Sequence, residues 1–257
     1  MKQYDAVEII SKAIIKDNLV SAIFLQGSLA RGQEDEYSNV NYFVIVNDEN
    51  RRALIDKRIT YLSAYDDIIY IKENNINKTH LSCLFDKGLR FEFNIVLHQD
   101  FLKLDSILPI YDPNDILSDI GNMDLSLSPS EYGEVFNNFC YKLLEFKAAY
   151  SRNDVAYSFF LVNNLHNDFA IMLRYQYDFK NAKLGLKGLL IYLKDKEAIE
   201  KYLFVLKKLR GGNSLEAVQI MMGFLSNYFD VLSIAVSSNI NFDLYEYTKR
   251  EILSLHD

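Results

Sequence analysis

Hydrophobic and polar positions change rhythm along this chain in a way that divides it in two. Residues 4–17 carry Val7, Ile10, Ile14 and Ile15 at helical spacing. "LVSAIFLQ" (19–26) is a short apolar run stopped by Gly27, the mark of a buried strand. "NVNYFVIV" (39–46) alternates, with Asn39, Asn41, Phe43 and Ile45 on one face and Val40, Tyr42, Val44 and Val46 on the other. "DENRRALIDKRITYLSAY" reads as a polar-faced helix. Period-2 or continuously apolar patterns then predict strands near 67–72, 80–86 and 89–97.

Beyond residue 98 the texture changes. "PIYDPNDILSDIGNMDLSLSPSEYGEV" holds all three prolines among Asp, Asn and Ser, and reads as a connecting segment. It closes on a helix-start signature: Ser128 as N-cap, Pro129 at the first helical position and Glu131 three residues after the cap. Helical patterns dominate from there, over "YKLLEFKAAY", "AYSFFLVNNLHNDFAIMLRYQY", "KEAIEKYLFVLKKL" and "SLEAVQIMMGFLSNYFDVLSIAV", with "RGGN" (210–213) as a stop. The expected organisation is an α/β domain over about 1–125 and an all-α helical-bundle domain over about 128–257. No internal repeat or low-complexity tract interrupts it.

Composition narrows the function classes. With 49% hydrophobic and 25% charged residues, the chain supports a sizeable core. Its 28 basic against 35 acidic residues give a net charge of −7, and no Lys/Arg stripe offers a nucleic acid the phosphate contacts it needs. No run approaches the roughly 20 apolar residues of a membrane span, and the N-terminus has no signal-peptide pattern, so a cytoplasmic location is expected. Cys83 and Cys140 lack metal-type spacing and read as reduced core residues. The four histidines are scattered, with His166 on an amphipathic pattern expected to be a satisfied core or interface residue.

The stretch that carries chemistry is "GSLARGQEDEYSNVNYFVIV" (27–46). Gly27 ends a strand and allows close approach of a ligand. Ser28 opens a short helix, so its hydroxyl and the following N–H groups can face a phosphate. Arg31 is either a phosphate contact or a solvent-exposed loop residue. On the next strand, Asn39 and Asn41 lie side by side at i and i+2, where carboxylates would hold Mg²⁺ against a triphosphate. Glu92 sits between Phe91 and Phe93 on another strand, either as a third acidic group of such a site or as a surface partner of Arg90 or Arg31.

These residues resemble the G-S…G…D-x-x-S-D-x-[DE] signature of the polymerase-β-like nucleotidyltransferases, and within them the antibiotic (lincosamide and aminoglycoside) nucleotidyltransferases. "CLFDKGLRFEFNIVLHQDF" and a helical second half fit the same group. The resemblance implies a nucleotidyltransferase-type α/β (α+β) domain with a mixed sheet, followed by a helical domain for substrate binding or dimerisation. It also implies Mg²⁺-dependent transfer of a nucleoside monophosphate, AMP above all, from a triphosphate such as ATP to a hydroxyl of a small antibiotic-like acceptor. Carried over, Gly27, Ser28 and Arg31 meet the phosphates, and Asn39, Asn41 and Glu92 stand at the metal positions. Glu92 is also the candidate base for the acceptor's proton, and Asp35 is a loop-fixing group. A homodimer is consistent with the long apolar helices. The departure lies in Asn39 and Asn41: neutral amides attract a divalent cation far less than the carboxylates they replace. Activity is therefore expected to fall by orders of magnitude or to be absent; nucleotidyl transfer is the leading reading, and the alternative is a catalytically inactive relative that binds nucleotide or a protein partner.

Overall fold

The computed structural model describes residues 1–73, 78–97, 106–118, 124–227, 232 and 234–256. Two compact units divide it, Met1–Met123 and Asp124–Asp257.

The first unit is built on a six-stranded mixed sheet. Its strands are β1 (Ala22–Gln26), β2 (Val40–Val46), β3 (Ile68–Glu73), β4 (His80–Phe85), β5 (Arg90–Leu97) and β6 (Ile107–Tyr111), in the order β3-β4-β5-β2-β1-β6. Only β2 and β5 run parallel. That central pair requires a crossover, which contains α3 (Asp48–Ser63) and the hairpin of β3 and β4. α1 (Lys2–Ile15) turns Val7, Ile10 and Ile14 into a core with Leu54, Tyr61 and Leu62 of α3. The even residues of β2 (Val40, Tyr42, Val44, Val46) and Phe91 and Phe93 of β5 complete that face. The buried Tyr42 hydroxyl is satisfied by Ser11 Oγ at 2.7 Å, and burial drives its pKa upward. On the other face, Ala22, Phe24 and Ile45 form a small cluster with Leu117, and Phe43 stacks on Phe24 with centroids 5.1 Å apart.

Three expectations need correction here. Residues from 109 onward read as a connecting segment, yet Ile107–Tyr111 is the edge strand β6, with Pro109 opposite Phe24. A proline without an N–H is tolerated because an edge strand has one unpaired side. The first strand begins at Ala22 rather than Leu19, and Asn39 lies just before β2 rather than inside it. Residues 119–123 of the connecting segment lie outside the described residues.

The described elements of the second unit are helices. They are α4 (Pro129–Ser151), α5 (Val155–Tyr177), a 3₁₀ segment (Phe179–Leu184), α6 (Leu189–Tyr192), α7 (Lys196–Arg210), α8 (Ser214–Ser226), α9 (Ile234–Ser237) and α10 (Phe242–Leu253). The anticipated capping box forms: Ser128 Oγ accepts from Glu131 N at 3.2 Å, and Glu131 Oε2 accepts from Ser128 N at 2.7 Å. Asp154, Asp195, Asn213 and Asn241 cap four further helices. The pattern over 214–236 is not one helix, since α8 stops at Ser226 and α9 starts at Ile234; residues 228–231 and 233 lie outside the described residues. Asn241 opens α10, which the sequence reading did not single out. His166 is buried and stacked on Tyr202, but its Nε2 has no partner, so it is a core residue without being a satisfied one. Burial holds its pKa below the usual histidine value. Among the described residues no helix is long and apolar enough to cross a membrane.

Candidate functional site

Register places a polar row on the face of the sheet opposite the core it shares with α1 and α3. Gln26 of β1 pairs with Asn41 of β2, Asn41 with Glu92 of β5, and Glu92 with Ser82 of β4. Cross-strand partners project to the same side, so four polar side chains cross four strands within roughly 14 Å. Asn39 flanks the row from the start of β2, and His80 and Asn94 flank it on β4 and β5.

The turn after β1 abuts this row. Gly27 has φ 81° and ψ −145°, a backbone that L side chains rarely adopt, and Ser28–Arg31 (α2) is a single helical turn closed by Gly32 at φ 64°. A Cβ on Gly27 would lie 2.6 Å from Asn41 Nδ2. Gly27→Ala is therefore expected to destabilise the protein by about 2–3 kcal/mol, combining backbone strain and collision. Gly32→Ala, where no atom lies within 4 Å of the added methyl, should cost only about 1–2 kcal/mol. Parallel urea titrations check the difference; equal losses would show that Asn41 does not press on the turn.

Several of the charged and amide groups near the row already have partners. Asn39 Nδ2 donates to Asn41 Oδ1 at 2.9 Å. Ser82 Oγ donates to Glu92 Oε2 at 2.6 Å, and His80 Nε2 lies 3.2 Å from the same oxygen. His80 Nδ1 is 2.7 Å from Asn94 Oδ1, while Asn94 Nδ2 donates to the carbonyls of Tyr42 and Glu92, both at 3.2 Å. With Oδ1 as the only acceptor Asn94 can offer, His80 Nδ1 must carry the proton. Glu92 thus accepts from Ser82, and His80 Nε2, bare in that tautomer, can donate to it only in the imidazolium form; neither Arg90 nor Arg31 pairs with it. Arg90 donates to the Tyr37 carbonyl at 3.3 Å, and Arg31 Nε to Gln33 Oε1 at 3.0 Å. Ser82 and His80 alternate with Leu81 and Cys83 in the sequence, but only strand pairing shows that they reach Glu92. Cys83 faces the core, and burial, with Glu92 second, pushes its thiol up to about 12.

The acidic loop is tied down as well. Asp35 Oδ1 accepts from Tyr37 N at 3.0 Å and Ser38 Oγ at 2.9 Å, which makes it a loop-fixing group. α1 grips the same loop: Gln3 Nε2 donates to the Asp35 and Ser38 carbonyls, and Tyr4 donates to Glu34 Oε1 at 2.7 Å. That bond is the first cause of the lowered Glu34 pKa and the raised Tyr4 pKa.

This donor set does not fit a pair of Mg²⁺ ions. Mg²⁺ demands near-octahedral oxygen coordination at about 2.0–2.1 Å and is held through one or two carboxylates, whereas Asn41 Oδ1 is taken by Asn39 and the one carboxylate of the row, Glu92, has Oε2 taken by Ser82. Among the described residues no three His, Cys, Asp or Glu side chains converge.

No family model matches the chain, and neither does any curated protein. Among solved structures it is similar to a spectinomycin adenyltransferase from Enterococcus faecialis, crystallised with ATP and spectinomycin, at 12% identity over 98% of this chain and 100% of that one, with a TM-score of 0.36. At that identity and TM-score the likeness carries no chemistry over to this chain, and the reading of the site rests on its own residues.

Proposed function

We propose that this chain is a nucleotide-binding protein of nucleotidyltransferase type, with ATP as its leading ligand. Transfer of the nucleoside monophosphate to a small antibiotic-like hydroxyl acceptor has fallen by orders of magnitude. The observation that carries the proposal is the Asn39–Asn41 hydrogen bond beside the Gly27–Ser28 turn. Two carboxylates at those positions would repel and would need cations between them. The amide pair is neutral and joined by its own hydrogen bond, so it needs none. The turn keeps what a phosphate contact requires: a glycine without a Cβ, the Ser28 hydroxyl, and first-turn N–H groups lacking helical partners.

Loss of the metal-held charge explains the loss of rate, because phosphoryl transfer depends chiefly on electrostatic positioning. A second reading, an active transferase, is favoured by one observation: Glu92 stays only half-buried, in register with Asn41, where it can accept an acceptor's proton.

Thermal shift and calorimetry with a panel of nucleoside triphosphates test the binding, since a ligand that binds the folded chain raises its apparent stability. The expected result is a clear shift with ATP and only trace pyrophosphate release with any hydroxyl acceptor. Fast Mg²⁺-dependent pyrophosphate release that disappears in Glu92→Gln would establish the second reading, and no shift with any triphosphate would remove both.

A further inference from the structure

We infer that the nucleotide this site takes is the metal-free anion rather than its Mg²⁺ complex, with the Asn41 amide donating to phosphate where a carboxylate would have needed a cation. This rests on the reading of the site as nucleotide-binding and specifies the form of ligand it selects.

The geometry of Asn41 carries the inference. Its Oδ1 accepts from Asn39 Nδ2 at 2.9 Å, which turns its NH₂ group away from Asn39. That group lies beside Gly27, 2.6 Å from where a Cβ would stand, and among the described residues it has no acceptor. A carboxylate and a phosphate oxygen are both acceptors and meet only across a metal or a proton. An amide N–H and a phosphate oxygen meet directly. Substituting amide for carboxylate thus exchanges an acceptor–cation–acceptor contact for a donor–acceptor one.

Charge points the same way. Three carboxylates on this face would repel a bare triphosphate, and Mg²⁺ would be needed to offset them. Here Glu92 is the one carboxylate of the row, and Ser82 holds its Oε2 toward β4, away from Asn41 and the turn. A metal-bound nucleotide would bring a hydrated cation against two amides that give it no anionic ligand, so its water shell would be displaced without compensation.

Isothermal titration of the native chain with ATP, once in EDTA and once in excess Mg²⁺, tests this directly. Binding in EDTA should be at least as tight as in Mg²⁺. Asn41→Ala, which deletes the donor at a half-buried position, should weaken binding in EDTA about tenfold, the loss of one hydrogen bond to a charged group. Its circular dichroism spectrum verifies that it stays folded. Binding that requires Mg²⁺ would overturn the inference and leave the nucleotide-binding reading standing. Binding in EDTA that Asn41→Ala does not change would also overturn it, because the donor would then lie elsewhere. Failure to bind ATP under either condition would instead overturn the proposed function itself.

Discussion

Asn39→Asp with Asn41→Asp should raise affinity for Mg²⁺ or Mn²⁺ at least about a hundredfold, close to 2.8 kcal/mol, and should make the stability of the free chain depend on that metal. The two side chains are 2.9 Å apart and joined by one hydrogen bond. Aspartates there would place two carboxylates in the same space, with a repulsion of about 4 kcal/mol at an effective dielectric near 20. Without metal the pair relieves this by keeping one proton, so one carboxyl has a folded pKa raised above its unfolded value. The sign follows: such a group stabilises the fold below the unfolded carboxylate pKa, and that contribution is lost as pH rises through the folded value. At pH 7 in EDTA the double variant should therefore be about 1–3 kcal/mol less stable than the native chain. Metal reverses the sign of the interaction and restores the loss. Thermal melts in EDTA and in Mn²⁺ should coincide for the native chain and separate by about 5 °C or more for the variant. Pyrophosphate release should rise in parallel, limited by how readily Glu92 leaves Ser82 and His80. Coincident melts in the double variant would mean that the site is misplaced.

How far the sequence alone reaches is visible in the same residues. Alternation on "NVNYFVIV" was enough to place Asn39 and Asn41 on one face, because a strand's period of two depends on nothing outside the strand. Gly27 as a turn and Ser128 as a cap were legible for the same local reason. Glu92 was recognisable as an anomaly, a charge between two phenylalanines, but its partners were not. They belong to β4, and register between β4 and β5 is a long-range property that no window of sequence contains. The alternative of a pairing with Arg90 or Arg31 failed on this point. The edge strand containing Pro109 was hidden by the opposite problem, a local signal for a turn that the sheet edge overrides. In the helical half, continuous apolar composition over 214–236 masked the end of α8 at Ser226, since burial on several sides leaves no polar stripe to mark a boundary.

Arg174→Met should destabilise the second unit by about 3–5 kcal/mol, the range for breaking a buried ion pair from one side. Arg174 is fully buried on α5, among the apolar residues of the helical core. Each nitrogen of its fork has an acceptor: Nε donates to the Gly185 carbonyl at 2.7 Å, Nη2 to the Lys187 carbonyl at 2.6 Å, and Nη1 pairs with Asp178. Burial draws its pKa down and Asp178 opposes that, so the cation persists because its partners are in place. The three acceptors explain why the chain turns as it does after α5. They fasten the 3₁₀ segment and the two positive-φ glycines, Gly185 and Gly188, to the helix they have just left. Methionine fills most of the volume but leaves the Asp178 carboxylate without its cation, held only by Asn181 Nδ2 at 2.8 Å, and two carbonyls without a donor, and the cost lies in those acceptors more than in the lost contact. Arg174→Met combined with Asp178→Asn should therefore recover part of the loss, because the stranded charge is gone. Urea titrations of both variants measure this. If the single variant costs less than about 1 kcal/mol, the guanidinium is not what holds the 185–188 turn. If the double variant is no more stable than the single one, the cost of the single change comes from the two carbonyls alone.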